Sequence, residues 1–283
     1  MLKQLFNSKR DRKRWLYASL SLILTLSIGL TNIRPSYAVP WVELLLRGVQ
    51  VIQLSSISDK QEVALGKEIN QQLTSSGQAK LYRDRAINNY IEQIGQRLAK
   101  TSQRPDIPYT FQVVDDKNIN AFATMGGFVY INTGLILAAD NEAELASVIG
   151  HEIGHIVGRH AVEQMRQRAV SQGLLSAAGL NRSQAVQIGV ELAVSRPNSR
   201  SDELEADRFG LENLKKANYA PAGMLGFMQK LLQKGGSVPS FLSTHPATQE
   251  RIQKLQQQID PATAKIGDGL NEQAYRQQIN SLT

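Results

Sequence analysis

The chain of 283 residues contains no cysteine. Disulfide bonds and cysteine-ligated metal sites are therefore excluded, and the packing of the core must stabilise the fold. The acylated cysteine of a bacterial lipoprotein is excluded for the same reason. After residue 38 the sequence has no run of eighteen uninterrupted apolar residues, so we predict no membrane-spanning helix there. It also has no internal repeat of solenoid length and no low-complexity tail.

The body of the chain has almost no net charge. The whole sequence carries a formal charge of +7, but residues 1–38 hold seven Lys or Arg against one Asp. The remaining residues therefore contain 25 basic and 24 acidic side chains. A nearly neutral body lacks the positive surface that binds phosphate backbones, so we expect no nucleic-acid partner.

Residues 1–38 have the pattern of a secretory signal peptide. A basic stretch ends at Arg14, an apolar core covers residues 15–30, and Ser36 and Ala38 form a small-x-small cleavage pattern. Cleavage after Ala38 is the favoured interpretation. The alternative is an uncleaved signal anchor, because the apolar core approaches the length of a short membrane span. We therefore expect an exported protein in the periplasm or another extracytoplasmic space, with no integral membrane domain after signal cleavage.

Two further segments are distinguished by their composition. Residues 39–57 form an apolar-rich, amphipathic stretch that could pack on the domain or make a peripheral membrane contact. Residues 171–200 are rich in Ser, Gly, Ala and Gln and end at Pro197 and Asn198. We predict that they form a mobile helical hairpin or a lid over a cleft.

Residues 58–283 are predicted to form one helix-rich α+β domain. Apolar spacing predicts helices over residues 58–73 and 85–100, from Asn141 past Gln167, from Ser199 or Ser201, after Pro221 and after Pro246. β-branched and aromatic residues predict strands over 109–114 and 128–132, with a turn at 118–127 between them. The strand at 128–132 is expected to be an edge strand that pairs with extended polypeptide.

Residues 151–155 read His-Glu-Ile-Gly-His on the predicted long helix. Residues four apart lie about 40° apart around a helix, so His151 and His155 can both face a single ion. Neutral imidazoles bind Zn²⁺, and a catalytic zinc site has three protein ligands and a water. Glu152 lies beside them and can take a proton from the metal-bound water as that water attacks a peptide carbonyl. This is the chemistry of the H-E-x-x-H motif.

Glycines recur every four residues along the same helix, at Gly150, Gly154 and Gly158. Each costs about 1 kcal/mol of helix stability relative to alanine, so their recurrence predicts another element packed very close. His160 lies about 180° around a continuous helix from His151, and we interpret it as a structural or surface residue.

The third ligand is expected from another helix, which begins near Ser199 or Ser201 and is rich in acidic residues. Glu203 and Asp207 share one helical face, while Glu205 points roughly the opposite way. A natural assignment makes Glu203 the ligand and Asp207 the acceptor for the free N–H of a ligand histidine. Glu191 is also possible from spacing alone, and acidic residues at a helix N-terminus are common because the dipole favours them.

Several motifs in a fixed order carry a family resemblance over residues 58–252. They are Ala64-Leu65-Gly66, Asn120-Ala121-Phe122, Gly126-Gly127, Thr133-Gly134-Leu135, Glu144-Leu145-Ala146, the His151 to His155 motif, Glu203-Leu204-Glu205-Ala206-Asp207, Thr244-His245-Pro246 and Arg251-Ile252. Together they resemble the HtpX and CAAX-prenyl-endopeptidase type of zinc metallopeptidases, which are gluzincins. The chain looks like the soluble, exported branch. It departs from the family pattern at Met125, where proline is frequent.

The resemblance implies one Zn²⁺ per chain. Its ligands would be His151, His155 and Glu203, Glu152 would be the general base, and Asp207 would support a ligand histidine. It also implies that His245 and Arg251 face the site. His245 could stabilise the oxyanion or occupy the open zinc position in a resting state.

We therefore expect a zinc-dependent endopeptidase that cleaves misfolded or unassembled envelope polypeptides. The alternative is a periplasmic chaperone or assembly factor whose zinc site is latent. A purely structural zinc site is disfavoured, because it would be closed by four protein ligands and would leave Glu152 without a role.

Overall fold

The structure is a computed structural model that describes residues 51–174, 179–195, 198–233, 240–246 and 249–282. The predicted signal peptide, most of the 39–57 segment and parts of the predicted lid lie outside the described residues. The described part is helix-rich with a small mixed sheet, which confirms the predicted α+β class. No helix within it is long and apolar enough to cross a membrane.

Eleven α-helices occur among the described residues. They are α1 (Asp59–Ser75), α2 (Arg85–Ala99), α3 (Thr133–Ala138), α4 (Glu142–Val157), α5 (His160–Ser171), α6 (Arg182–Ser195), α7 (Arg200–Lys216), α8 (Ala222–Gln233), α9 (Ser240–Thr244), α10 (Gln249–Gln258) and α11 (Glu272–Gln278). The strands are β1 (Val51–Ile52), β2 (Thr110–Val114), β3 (Ala121–Thr124), β4 (Phe128–Asn132) and β5 (Leu180–Asn181).

Local capping fixes where the main helices begin. Ser58 and Gln61 form a capping box at the start of α1. The side chains of Asp84, Asn141 and Ser199 accept backbone N–H groups at the starts of α2, α4 and α7. Because each of these side chains satisfies a donor that the helix itself leaves unpaired, the predicted N-termini agree with the structure within a residue or two.

The three-stranded sheet has the order β2-β4-β3. β4 pairs in parallel with β2 and antiparallel with β3, with Phe128 opposite both Thr110 and Thr124. The prediction that residues 128–132 form an edge strand is therefore wrong. All five residues of β4 are buried, as expected for a central strand with both faces covered. The edge strands of this sheet are β2 and β3, and the four residues of β3 fall within the segment predicted as a turn.

The predicted continuous helix from Asn141 past Gln167 is also interrupted. α4 ends at Val157, Gly158 follows, and Arg159 adopts the left-handed conformation with φ 56° and ψ 29°. α5 then begins at His160 in a new direction. A non-glycine residue in this conformation costs roughly 1–2 kcal/mol, so side-chain contacts must hold it.

The helix α4 packs directly against α7. A Cβ built at Gly154 would lie 2.5 Å from the carbonyl oxygen of Ala206, and one built at Gly150 would lie 3.4 Å from that of Gly210. The prediction of a very close neighbour is confirmed at these two positions. This close approach brings the histidine face of α4 to the acidic face of α7.

Buried apolar residues form two clusters. The larger fills the space between the sheet, α2, α4 and α8. The smaller lies under α1, α5 and α6 and includes Ile52, Leu54 and Ile57. The last residues of the 39–57 segment, from residue 51 onward, thus pack into the domain.

Candidate active site

The side chains of His151 and His155 converge from one face of α4. Their Nε2 atoms lie 3.1 Å apart, and the rings are 3% and 6% exposed. The helical spacing of four residues produces this convergence, as the sequence predicts.

Glu203 on α7 completes a group of three donors. Its Oε2 lies 3.5 Å from Nε2 of His151, and its Oε1 lies 3.4 Å from Nε2 of His155. Glu191, the alternative that spacing left open, lies on α6 and pairs with Arg168 instead. Because α7 crosses α4 at the glycines, the first turn of α7 is the part that reaches the histidines.

The donor atoms fit a tetrahedral metal ion. An ion roughly 2.0–2.1 Å from each donor holds those donors about 3.3–3.4 Å apart. The two imidazole nitrogens lie 3.1 Å apart, and each lies 3.4–3.5 Å from a different oxygen of the Glu203 carboxylate. Two imidazole nitrogens and one carboxylate oxygen form a donor set that binds divalent transition metals.

The other nitrogen of His151 faces Asp207. Nδ1 of the ring lies 2.9 Å from Oδ1 of Asp207, so Nε2 is left to face Glu203. Burial acts to lower the pKa of His151, but the hydrogen bond to Asp207 and the carboxylate of Glu203 outweigh it and raise the pKa to about 9. Burial likewise acts to raise the pKa of Asp207, and hydrogen bonds from Arg251 and His151 bring that pKa below its usual range.

His245 adds a fourth side chain to the donor group. Its Nδ1 lies 3.0 Å from Oε1 of Glu203 and 3.3 Å from Nε2 of His151. Its ring stacks on Phe241 with the centroids 4.6 Å apart. With its ring 2% exposed, His245 thus places a fourth donor atom beside the three already described.

Glu152 is completely buried beside this group. Its Oε1 lies 3.4 Å from Nε2 of His245, and neither of its carboxylate oxygens has a hydrogen-bond partner among the described residues. Burial raises the pKa of Glu152, although the nearby histidines His245 and His151 oppose that rise. A buried carboxylate with a raised pKa is suited to accept and return a proton near neutral pH.

Two side chains at the site were not predicted. His160 contacts His155 through their Nδ1 atoms at 2.8 Å, and its Nε2 lies 3.2 Å from Oε2 of Glu205. The expected structural or surface position rests on a continuous helix. Because α4 ends at Val157, the His160 ring instead lies against His155. Asn198 places its amide nitrogen 3.1 Å from Nδ1 of His245. No motif in the sequence points to Asn198.

A cleft of about 720 Å³, including its opening to solvent, lies beside the donor group. One wall is the edge strand β3, from which Phe122, Ala123 and Thr124 line the cleft. α6 forms another wall through Gly189, Leu192 and Ala193. Of the seven site residues predicted from the sequence, Glu152, His155 and His245 line this cleft. The other four, which contact them or one another, are His151, Glu203, Asp207 and Arg251.

Two histidines and a glutamate around one point, with a second buried glutamate beside them, define a metallohydrolase type of site on an α+β domain. Peptidase family M48 matches residues 85–259, and the chain belongs to this family.

Three relatives illustrate the similarity. The chain is 32% identical over 215 residues to the beta-barrel assembly-enhancing protease of Escherichia coli strain K12, which covers 70% of this chain and 44% of that protein. It is 27% identical over 252 residues to metalloprotease YcaL of the same strain, covering 84% and 95% respectively. It is 31% identical over 182 residues to the mitochondrial metalloendopeptidase OMA1 of Schizosaccharomyces pombe, covering 62% and 54%. The chain thus spans less than half the length of the beta-barrel assembly-enhancing protease that it matches.

Proposed function

We propose that the chain is a zinc-dependent endopeptidase. The observation that carries the proposal is the convergence of His151, His155 and Glu203 at 3.1–3.5 Å, with Glu152 buried beside them at the foot of an open cleft. These three residues would hold the ion. When bound there, zinc supplies a Lewis acid that polarises a carbonyl oxygen and lowers the pKa of water.

Glu152 is the proton carrier in this proposal. Its carboxylate accepts a proton from the attacking water and then delivers that proton to the nitrogen of the leaving amine. The proton is held on Glu152 between the two steps, which its raised pKa favours.

The supporting residues act through hydrogen bonds. Asp207 accepts the Nδ1–H of His151, so Nε2 is the ring nitrogen that would give up its proton and bind the ion. Arg251 in turn holds Asp207 with two hydrogen bonds. His245 presents Nε2 toward Glu152 and the cleft, where it can donate to the oxygen that becomes negative as the carbonyl is attacked.

The edge strand β3 is the proposed docking site for substrate. Because Asn132 N–H donates to the carbonyl of Asn120, the alternation of an antiparallel ladder turns the backbone groups of Ala121 and Ala123 away from β4. An extended polypeptide can pair with these groups whatever its sequence. Tolerance of sequence suits unfolded or unassembled proteins, and the names of the beta-barrel assembly-enhancing relatives support envelope proteins as substrates. An exported location follows from the predicted signal peptide.

The test compares the purified wild-type chain with Glu152→Gln. We would measure bound zinc and the cleavage of unfolded casein, with and without a chelator. Both proteins should bind one zinc, and only the wild type should cut, in a chelator-sensitive reaction. A Glu152→Gln protein that cuts casein as fast as the wild type would refute the role of Glu152.

A second candidate is a chaperone or assembly factor with a latent zinc site. The position of His245 Nδ1, 3.0 Å from Glu203 and 3.3 Å from His151, favours it because a fourth protein donor would close the metal. Under this candidate the wild type binds zinc without cutting casein, and His245→Ala gains activity. Under the endopeptidase proposal His245→Ala loses activity.

A further inference from the structure

His160 is a buried histidine that the H-E-x-x-H motif does not include. Its Nδ1 lies 2.8 Å from Nδ1 of His155, and its ring is 5% exposed. On its other side, Nε2 lies 3.2 Å from Oε2 of Glu205, whose side chain is 45% exposed. His155, His160 and Glu205 thus form a hydrogen-bonded chain from the donor group to the protein surface.

The backbone between α4 and α5 places the His160 ring against the end of α4. A Cβ built at Gly158 would lie 2.4 Å from Nε2 of His160, so the imidazole lies directly on the glycine. Arg159 takes the left-handed conformation that separates α4 from α5, and its side chain donates to the carbonyl of Ile57 at 2.7 Å and pairs with Glu62 at 2.9 Å. The cost of this backbone conformation is offset by those contacts.

The protons of the chain can be assigned once Nε2 of His155 is taken to face the metal. A neutral histidine that offers Nε2 to a metal must carry its hydrogen on Nδ1. His155 therefore donates its Nδ1–H to Nδ1 of His160, which must offer a lone pair. The hydrogen of His160 is then on Nε2, where Glu205 accepts it. Each donor in the chain faces an acceptor only in this arrangement.

We propose that His160 is a positioning residue that fixes the tautomer and ring orientation of His155 for metal binding, with Glu205 fixing His160 in turn. The inference rests on the proposed function, because it requires His155 to be a metal ligand. The two ligand histidines are then held by different chemistry. His151 has a carboxylate partner in Asp207, whereas His155 has an imidazole partner in His160.

The test separates the hydrogen bond from the packing of the ring. His160→Phe keeps a ring over Gly158 but removes the acceptor, whereas His160→Asn can place an amide oxygen close to the position of Nδ1. Zinc dissociation constants would be measured by competition with a chromogenic chelator. We expect His160→Phe to bind zinc about 10–100-fold more weakly than the wild type. His160→Asn should recover most of that loss.

Glu212→Gln is the matched control, since Glu212 is a half-exposed residue on the same helix as Glu205 and pairs at the surface with Arg208 and Gln103. It should leave zinc affinity unchanged. Equal zinc affinities in the Phe and Asn variants, at any level, would overturn the proposal, because the acceptor would then make no difference. If the wild type itself binds no zinc, the proposed function fails and the inference fails with it.

A measurement on the wild type covers the case in which the variants do not fold. Two-bond ¹H–¹⁵N correlation spectra of the zinc-loaded protein report the tautomer of each imidazole. We expect His155 to carry its proton on Nδ1 and His160 to carry its proton on Nε2. A His160 ring protonated on Nδ1 alone would overturn the proposal even if zinc binding and casein cleavage follow the proposed function.

Discussion

Arg251 donates two hydrogen bonds to the carboxylate of Asp207, from Nε and Nη2, each 2.7 Å long. Its Nη1 lies 2.5 Å from Oε2 of Glu203, so one guanidinium on α10 contacts both carboxylates that face the histidines. All three side chains are almost completely buried. The fork geometry of arginine allows this double contact, which the single ammonium of lysine cannot reproduce.

The first prediction removes that guanidinium. Arg251→Met should destabilise the fold by about 3–5 kcal/mol, because it leaves buried carboxylates without their partner. Zinc affinity should fall about 10–100-fold, since Asp207 then loses its fixed orientation. Denaturant unfolding and zinc competition measure the two effects. Arg208→Met, which removes a half-exposed arginine of α7, is the control and should change stability by less than about 0.5 kcal/mol. Similar unfolding midpoints for the two variants would contradict the prediction.

The second prediction concerns the edge strand. Ala123→Pro removes a backbone N–H that points toward the cleft and leaves the ladder with β4 intact. A lost main-chain hydrogen bond of about 1–1.5 kcal/mol corresponds to roughly a tenfold fall in kcat/KM for casein. Zinc affinity should not change, because Ala123 is not one of the donor residues. If cleavage is unaffected while the protein remains folded, β3 does not bind the substrate.

The helix positions and the histidine face could be predicted because they depend on local sequence. Caps such as Ser58 and Asn141 act within one turn, and the spacing of His151 and His155 sets their common face without any tertiary information. Glu203 could not be chosen over Glu191 by this reasoning. That choice depends on how α7 crosses α4, which is fixed by the approach of Ala206 to Gly154.

Two errors have a common cause. β3 is only four residues long and lies beside Gly126, so its turn-like surroundings obscured a strand that tertiary pairing with β4 stabilises. The helix predicted to continue from Asn141 past Gln167 in fact ends at Val157. The left-handed turn at Arg159 is held by Glu62, almost a hundred residues away in sequence, and no local pattern reports such a contact.

Glu62 contacts the turn after β3, the left-handed turn at Arg159 and, through Arg104, the end of α4. It is 1% exposed and pairs with Arg104 at 2.9 Å and Arg159 at 2.9 Å. It also accepts the N–H of Gly126, which follows β3, at 3.3 Å. Arg104 donates in addition to the carbonyl of Ile156 in the last turn of α4. The end of the edge strand and the end of the histidine helix are therefore held by one buried carboxylate.

The third prediction neutralises this carboxylate. Glu62→Gln should cost about 1.5–3 kcal/mol, because the buried face of Arg104 loses its charged hydrogen-bond acceptor and keeps only the exposed carboxylate of Asp59. Glu68→Gln, on the same helix, breaks a half-exposed pair with Arg182 and should cost no more than about 1 kcal/mol. Urea unfolding of both variants provides the comparison. Equal losses of unfolding free energy in the two variants would show that the buried Glu62 contacts stabilise the fold no more than a surface ion pair does.

The fourth prediction uses two glycines that lie within helices but have different surroundings. Gly→Ala in an exposed helix interior normally stabilises by about 1 kcal/mol. Gly226 in α8 has room for a methyl group, whose only close neighbour would be Glu144 Oε1 at 3.4 Å, so Gly226→Ala should be neutral or stabilising. At Gly154 the methyl group would lie 2.5 Å from the carbonyl oxygen of Ala206 and 2.9 Å from its Cα.

Backbone atoms cannot move aside as the end of a side chain can, so Gly154→Ala must push α7 away from α4. We expect a loss of about 1–3 kcal/mol despite the better helix propensity of alanine. The same shift moves Glu203 away from His155, so zinc affinity should fall in Gly154→Ala and stay unchanged in Gly226→Ala. Thermal unfolding of the metal-free proteins measures the packing effect, and zinc competition measures the displacement of the ligand. A Gly154→Ala protein that is more stable than the wild type would show that the two helices can separate without cost.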